Sequence, residues 1–175
     1  MVCKLILYDK IFKCPEIPGL FYSSVEGNHP RDEKGRIVSK GYQRVANSKE
    51  ISSFLNKATT TNDFQKITMA RIKEETKNHI KDLTGNDLKR IVVDTCSVKH
   101  SLKKDEHFID TEDFKKIPSI VNKTKSVSLE AKNHFDNKVI KFTEEKENGL
   151  IIIMEVRAKK GELALITMYR QKKSR

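Results

Sequence analysis

His100 is followed three residues later by Lys103, and in a helix capped by Asp94 or Thr95 the two side chains lie about one turn apart on one face. Thr167 and Tyr169 are two residues apart in a β-branched, apolar run, so on a strand both emerge on the same side. Glu155 and Arg157 repeat that relation one strand earlier, and Lys159, Lys160, Arg170 and Lys172 surround the pair of strands. If the helix bearing His100 packs across this sheet, one concave site holds an imidazole, a hydroxyl, a phenol and several cations. That set suits cleavage of an RNA phosphodiester without a metal. A base removes the 2′-OH proton, a cation steadies the charged phosphorane, and an acid protonates the departing 5′ oxygen. Imidazole fits the proton transfers because its ordinary pKa lies near neutrality. No carboxylate cluster and no His/Cys set has metal-ligand spacing, so neither a metal nor another cofactor is expected. The bland reading of the same residues is a packed histidine and a solvated basic tail.

The elements that must position these groups follow from patterning. Ile91 to Val93 is a short β-branched run leading into the capped helix of His100, and Thr111 can cap a second helix that is expected to end near Pro118. Upstream, Ser48 precedes Ile51, Phe54 and Leu55 at helical spacing, and Phe64 to Ile72 reads as a strand or a helix start. Lys73 to Leu83 reads as a helix stopped by Gly85, with Ile72, His79, Ile80 and Leu83 on its buried stripe. His79 is therefore expected to be packed. In the last third, Ser126–Ala131, Val139–Thr143, Leu150–Arg157 and Leu163–Arg170 are strand candidates, with tight turns at Asn148-Gly149 and Lys160-Gly161. Helices first and about four antiparallel strands after them predict an α+β fold, with the helices packed on one sheet face.

The totals narrow the partners. Across 175 residues the formal net charge is +11, which favours nucleic acid, an anionic membrane surface or an acidic protein inhibitor. The apolar fraction of 37% supplies a core for one domain with an extension. No apolar run approaches the roughly 18 residues that span a bilayer. Met1 to Tyr8 lacks the pattern of a cleaved secretory signal, so action in a cytoplasm is expected, with any export by a specialised route. Cys3, Cys14 and Cys96 form neither a disulfide framework nor a zinc spacing. Val2 to Tyr8 reads as an edge strand, and the stretch around His29, Pro30 and Gly35 as an exposed loop.

Taken in order, KHSLKKD at Lys99–Asp105, EDFKKIPSIV at Glu112–Val121, VIKF at Val139–Phe142, EVRAKKGELAL at Glu155–Leu165 and TMYRQKK at Thr167–Lys173 resemble the phage-associated branch of the barnase–EndoU–colicin–RelE-like nuclease superfamily. The resemblance covers roughly residues 63–173 and divides the chain into an extension, 1–60, and a nuclease-like domain, 61–175. It implies an RNase fold, with the family's helix histidine on His100, its strand arginine on Arg157, and its closing threonine and tyrosine on Thr167 and Tyr169. Lys103, Lys104, Lys159, Lys160, Arg170 and Lys172 are then expected to hold RNA phosphates. Many family members carry a second histidine four or five positions after the first, where this chain has Lys104 and Asp105; His107 lies nearby but out of register, as an accessory candidate with Glu155. The expected activity is a metal-independent endoribonuclease, a toxin or prophage-encoded effector with an acidic immunity protein as partner. The alternative is an inactive RNA-binding or phage structural module of the same fold.

Overall fold

A computed structural model of the chain describes residues 44–103, 107–130 and 137–171. The expected edge strand at Val2–Tyr8, the loop around His29, Lys104 and Lys172 lie outside these residues.

The first element is α1 (Ser48–Thr60), and its cap is Asn47, one residue ahead of the serine that the sequence suggested. The Asn47 side chain accepts the Glu50 amide while the Glu50 carboxylate accepts the Asn47 amide, which satisfies two otherwise orphaned donors. Although α1 precedes the boundary drawn at residue 60, its Phe54, Leu55 and Ala58 are buried in the common core.

Six strands form one mixed sheet, where the sequence suggested about four antiparallel ones. The four expected strands are present as β3 (Val127–Glu130), β4 (Val139–Thr143), β5 (Leu150–Arg157) and β6 (Glu162–Arg170), joined antiparallel in that order. Two more, β1 (Lys66–Arg71) and β2 (Arg90–Asp94), pair antiparallel with each other across α2 (Glu74–Thr84). Strand β2 then pairs parallel with β6, giving the order β1-β2-β6-β5-β4-β3. That parallel pairing joins residues about seventy positions apart and has no turn signal to announce it.

Alternation assigns the faces. Ile91 and Val93 of β2, Leu163, Leu165 and Met168 of β6, and Leu150, Ile152, Met154 and Val156 of β5 belong to the core, together with Val98, Phe114 and Val121 from the helices. Each such side chain, fully buried, contributes about 1.5–3 kcal/mol. Strand β6 carries one extra residue, Ile166, between the pairs Met154↔Leu165 and Ile153↔Thr167. The bulge resets the alternation, so Thr167 and Tyr169 share a face with Glu162 and Ala164, three to seven positions earlier.

Two local readings change. His79 is exposed, because Ile80 takes the inward position of α2 and Ile72 precedes the helix. Pro118 starts a helix rather than ending one. After α4 (Thr111–Phe114), which Asp110 caps, α5 (Ile117–Lys123) has Pro118 in its first turn, where the missing N–H would have no intrahelical partner. The turns at Asn148-Gly149 and Lys160-Gly161 stand as expected. Asn148 and Gly161 take positive φ, 54° and 62°, and an added Cβ on Gly149 would lie 2.3 Å from the Glu144 carbonyl oxygen.

Candidate active site

Helix α3 (Thr95–Leu102) follows β2 without a loop. Asp94 ends the strand and caps the helix, its Oδ1 accepting the Ser97 amide at 2.8 Å. Beyond Ala164, where β2 stops pairing, the edge of β6 is satisfied by serines one helical turn apart. Ser97 Oγ lies 2.7 Å from the Leu165 carbonyl oxygen and 2.9 Å from Asp94 Oδ1, and its single proton serves one of them at a time. Ser101, fully buried, donates to the Ser97 carbonyl at 2.8 Å and accepts the Met168 amide at 3.2 Å. These contacts dock α3 against the stretch of β6 that carries Thr167 and Tyr169.

The docking gathers four of the expected groups. Ser101 Oγ is 3.4 Å from Thr167 Oγ1. The His107 ring is 6.5 Å from that of His100 and 5.7 Å from that of Tyr169, centroid to centroid, so it neighbours both. His107 Nδ1 is 3.0 Å from the Ser101 carbonyl oxygen. A carbonyl only accepts, so Nδ1 carries the proton, and the lone pair of the neutral ring is on Nε2. His107 is 9% exposed and His100 and Tyr169 are half-buried.

Arg157 is not part of this group. Counting back from the Lys160-Gly161 turn, Arg157 lies opposite Glu162, whereas Thr167 lies opposite Ile153 and Tyr169 opposite Ile151. Four to six residues separate these positions on β5, about 13–20 Å along the strand. The guanidinium is engaged at its own end: Arg157 Nε donates to Glu155 Oε2 at 2.6 Å, and Asn137 donates to Glu155 Oε1 at 2.8 Å. Burial acts to lower the Arg157 pKa, but the hydrogen bond and charge of Glu155, together with the charges of Asp94 and Glu162, hold the value above the ordinary one.

The same end contains charges that no local pattern groups. Glu162, fully buried, receives Lys66 Nζ at 2.5 Å and Arg90 Nη2 at 3.3 Å. Burial pushes the Lys66 ammonium below its ordinary pKa; Glu162 opposes this, while Arg157 and Lys160 add to it. Lys66, Arg90 and Glu162 come from β1, β2 and β6, so only the sheet order unites them. Lys159 and Lys160 are exposed in the 3₁₀ turn Ala158–Lys160 beside this cluster.

The other phosphate-binding candidates are dispersed. Lys103 is exposed at the C-cap of α3. Arg170 lies on the core side of β6, where its Nη2 donates to both carboxylate oxygens of Asp113, at 2.7 and 2.8 Å, and its Nε to the Phe108 carbonyl at 2.9 Å. Asp113 is 1% exposed. Burial raises its pKa, but the Lys116 ammonium, the Asp110 amide and Arg170 together hold it below the ordinary aspartate value. Arg170 therefore has a structural partner whatever else it does. Among the described residues no three His, Cys, Asp or Glu side chains come together as a metal site, and no helix is long and apolar enough to cross a membrane.

No curated protein and no solved structure matches the chain significantly. A family description does match, over residues 70–175, from within β1 through the whole of β6. By that match the chain belongs to the family described as phage-Barnase-EndoU-ColicinE5/D-RelE like nuclease3.

Proposed function

We propose that this nuclease cleaves RNA by attack of the 2′-OH, at the end of β6 where α3 docks. One observation carries the reading: His100, His107, Thr167 and Tyr169, from separate parts of the chain, converge there, with two imidazoles 6.5 Å apart. His107 Nε2 takes the 2′-OH proton, since Nδ1–H is held by the Ser101 carbonyl. The 2′ oxygen then attacks phosphorus and forms a cyclic phosphate. Protonated His100 donates to the departing 5′ oxygen, which leaves as a hydroxyl, so the two imidazoles exchange protonation states in one turnover. Thr167 and Tyr169 hold phosphate oxygens and ribose, and Lys103 supplies positive charge. The second histidine that the family pattern places near Lys104 is supplied in this reading by His107.

Arg157, Lys159 and Lys160 serve substrate charge at a distance rather than the scissile phosphorus. A net charge of +11 makes an acidic inhibitor complementary in sign, as for a toxin or prophage-encoded effector held by an immunity protein. The test is incubation of the full chain with RNA in EDTA. The expected fragments end in 2′,3′-cyclic phosphate, and an all-2′-deoxy strand of the same sequence stays intact. Equal cutting of the deoxy strand, or cutting only with added divalent metal, overturns the scheme.

A further inference from the structure

A cleft of about 360 Å³ lies at the β1–β2 end of the sheet, lined in part by Arg71, Lys77, Lys89 and Arg90. Arg71 and Arg90 are direct cross-strand partners. Like charges so placed repel, and the sheet resolves only half of the conflict. Arg90 turns to Glu162 and to the Lys160 carbonyl, and Glu74, which also lines the cleft, and Asp87 pair with Lys77. Arg71 and Lys89 are exposed, and neither has an acidic partner among the described residues.

Their backbone is fixed nonetheless. The Ile72 amide donates to the Lys89 carbonyl, the Lys89 amide to the Gly161 carbonyl, and the Asn122 side chain to the Arg71 carbonyl. Gly161 directly follows Lys159 and Lys160, so its bond from the Lys89 amide sets that turn beside Lys89. Two cations with no acidic partner among the described residues, on a braced backbone and beside Lys77 and Arg90, which are paired with acids, make an anion site.

From this geometry we infer that the cleft is a distal subsite for the phosphate backbone of single-stranded RNA, with Arg71 and Lys89 as its contacts. The inference rests on the RNA-cleaving reading above. Arg90 is level with Glu162, and Tyr169 lies seven residues further along β6, roughly 20 Å away. One nucleotide does not bridge that span, so the subsite serves only a longer strand.

The experiment measures binding of 2′-O-methyl oligonucleotides, which lack the attacking hydroxyl, to the full chain and to the double variant Arg71→Ala/Lys89→Ala, by fluorescence anisotropy over a salt series. The wild type is expected to bind a strand of about twelve nucleotides more tightly than a trinucleotide. The variant is expected to lose roughly tenfold on the long strand, a larger loss than on the trinucleotide, and its salt slope to fall by about 1.4, or ~0.7 per lost phosphate contact. Unchanged affinity and slope, or equal loss on both lengths, overturns the distal subsite. Cleavage of ordinary RNA by the wild type, run in parallel, separates the two ideas: cleavage with no length dependence rejects only the cleft, and absence of both binding and cleavage rejects the RNA reading with it.

Discussion

The two ends of one sheet face solve opposite problems. At the Arg157 end, ionised groups are taken out of water and must neutralise one another: Glu162 holds Lys66 and Arg90, and Glu155 holds Arg157. At the Tyr169 end, the side chains brought together are two imidazoles, a phenol and two hydroxyls, which exchange protons without needing a permanent counter-charge. Buried ions are costly to desolvate and strongly destabilising when one partner is removed. Acid–base chemistry instead needs groups whose protonation can change within a turnover. Under the proposed mechanism, one end serves stability and charge and the other proton transfer. Residues with catalytic-looking chemistry are found at both, so residue type alone does not distinguish them.

The comparison breaks most visibly at the ring end. His107→Ala and His100→Ala are each expected to lower RNA cleavage by about 10²–10⁴-fold while the far-ultraviolet dichroism stays native. Full activity in either purified variant removes that imidazole from the mechanism. The charged end should answer in stability: Glu162→Gln strips the buried counter-charge from Lys66 and Arg90 and is expected to cost about 3–5 kcal/mol in urea unfolding. A loss below about 1 kcal/mol would show that water reaches the cluster.

Asp113 tests the same logic on the core face. Its folded pKa lies below the 3.8 of an ordinary aspartate, so the stability it contributes is present above that value and disappears as pH falls through the folded value. Asp113→Asn should therefore cost about 1.5–3 kcal/mol at pH 7 through its bonds to Arg170 and Lys116, and the gap to wild type should narrow below about pH 4. Equal urea midpoint differences at pH 3 and pH 7 would refute that account. The smallest effect belongs to the turn that closes the hairpin at the charged end. Gly161→Ala, at φ 62° with no neighbour nearer than 3.7 Å to the added carbon, should cost about 1–2 kcal/mol by thermal unfolding and leave cleavage at the ring end intact.

Much of this fold is legible from local rules. The last four strands and both glycine turns follow from β-branched runs and turn chemistry, and Asp94 is recognisable as a cap. Strand β2 is not: Ile91–Val93 is too short a run to stand apart from the helix behind it, and its parallel partner is remote. Pro118 misleads because proline suits a helix's first turn as well as the position after its last. The separation of Arg157 from Thr167 was within reach, since counting outward from Lys160-Gly161 already sets Arg157 against Glu162. His107 offered no such count; its place depends on the fold around α3 and β6.

Sequence alone therefore determined that Thr167 and Tyr169 share a face, as Glu155 and Arg157 do, because alternation is a property of neighbouring residues. Tertiary structure decided which of those pairs meets an imidazole. That outcome depends on register, on a one-residue bulge at Ile166 and on the serines that lock α3 to an unpaired strand edge. These are relations between segments far apart in the chain, and no local pattern encodes them.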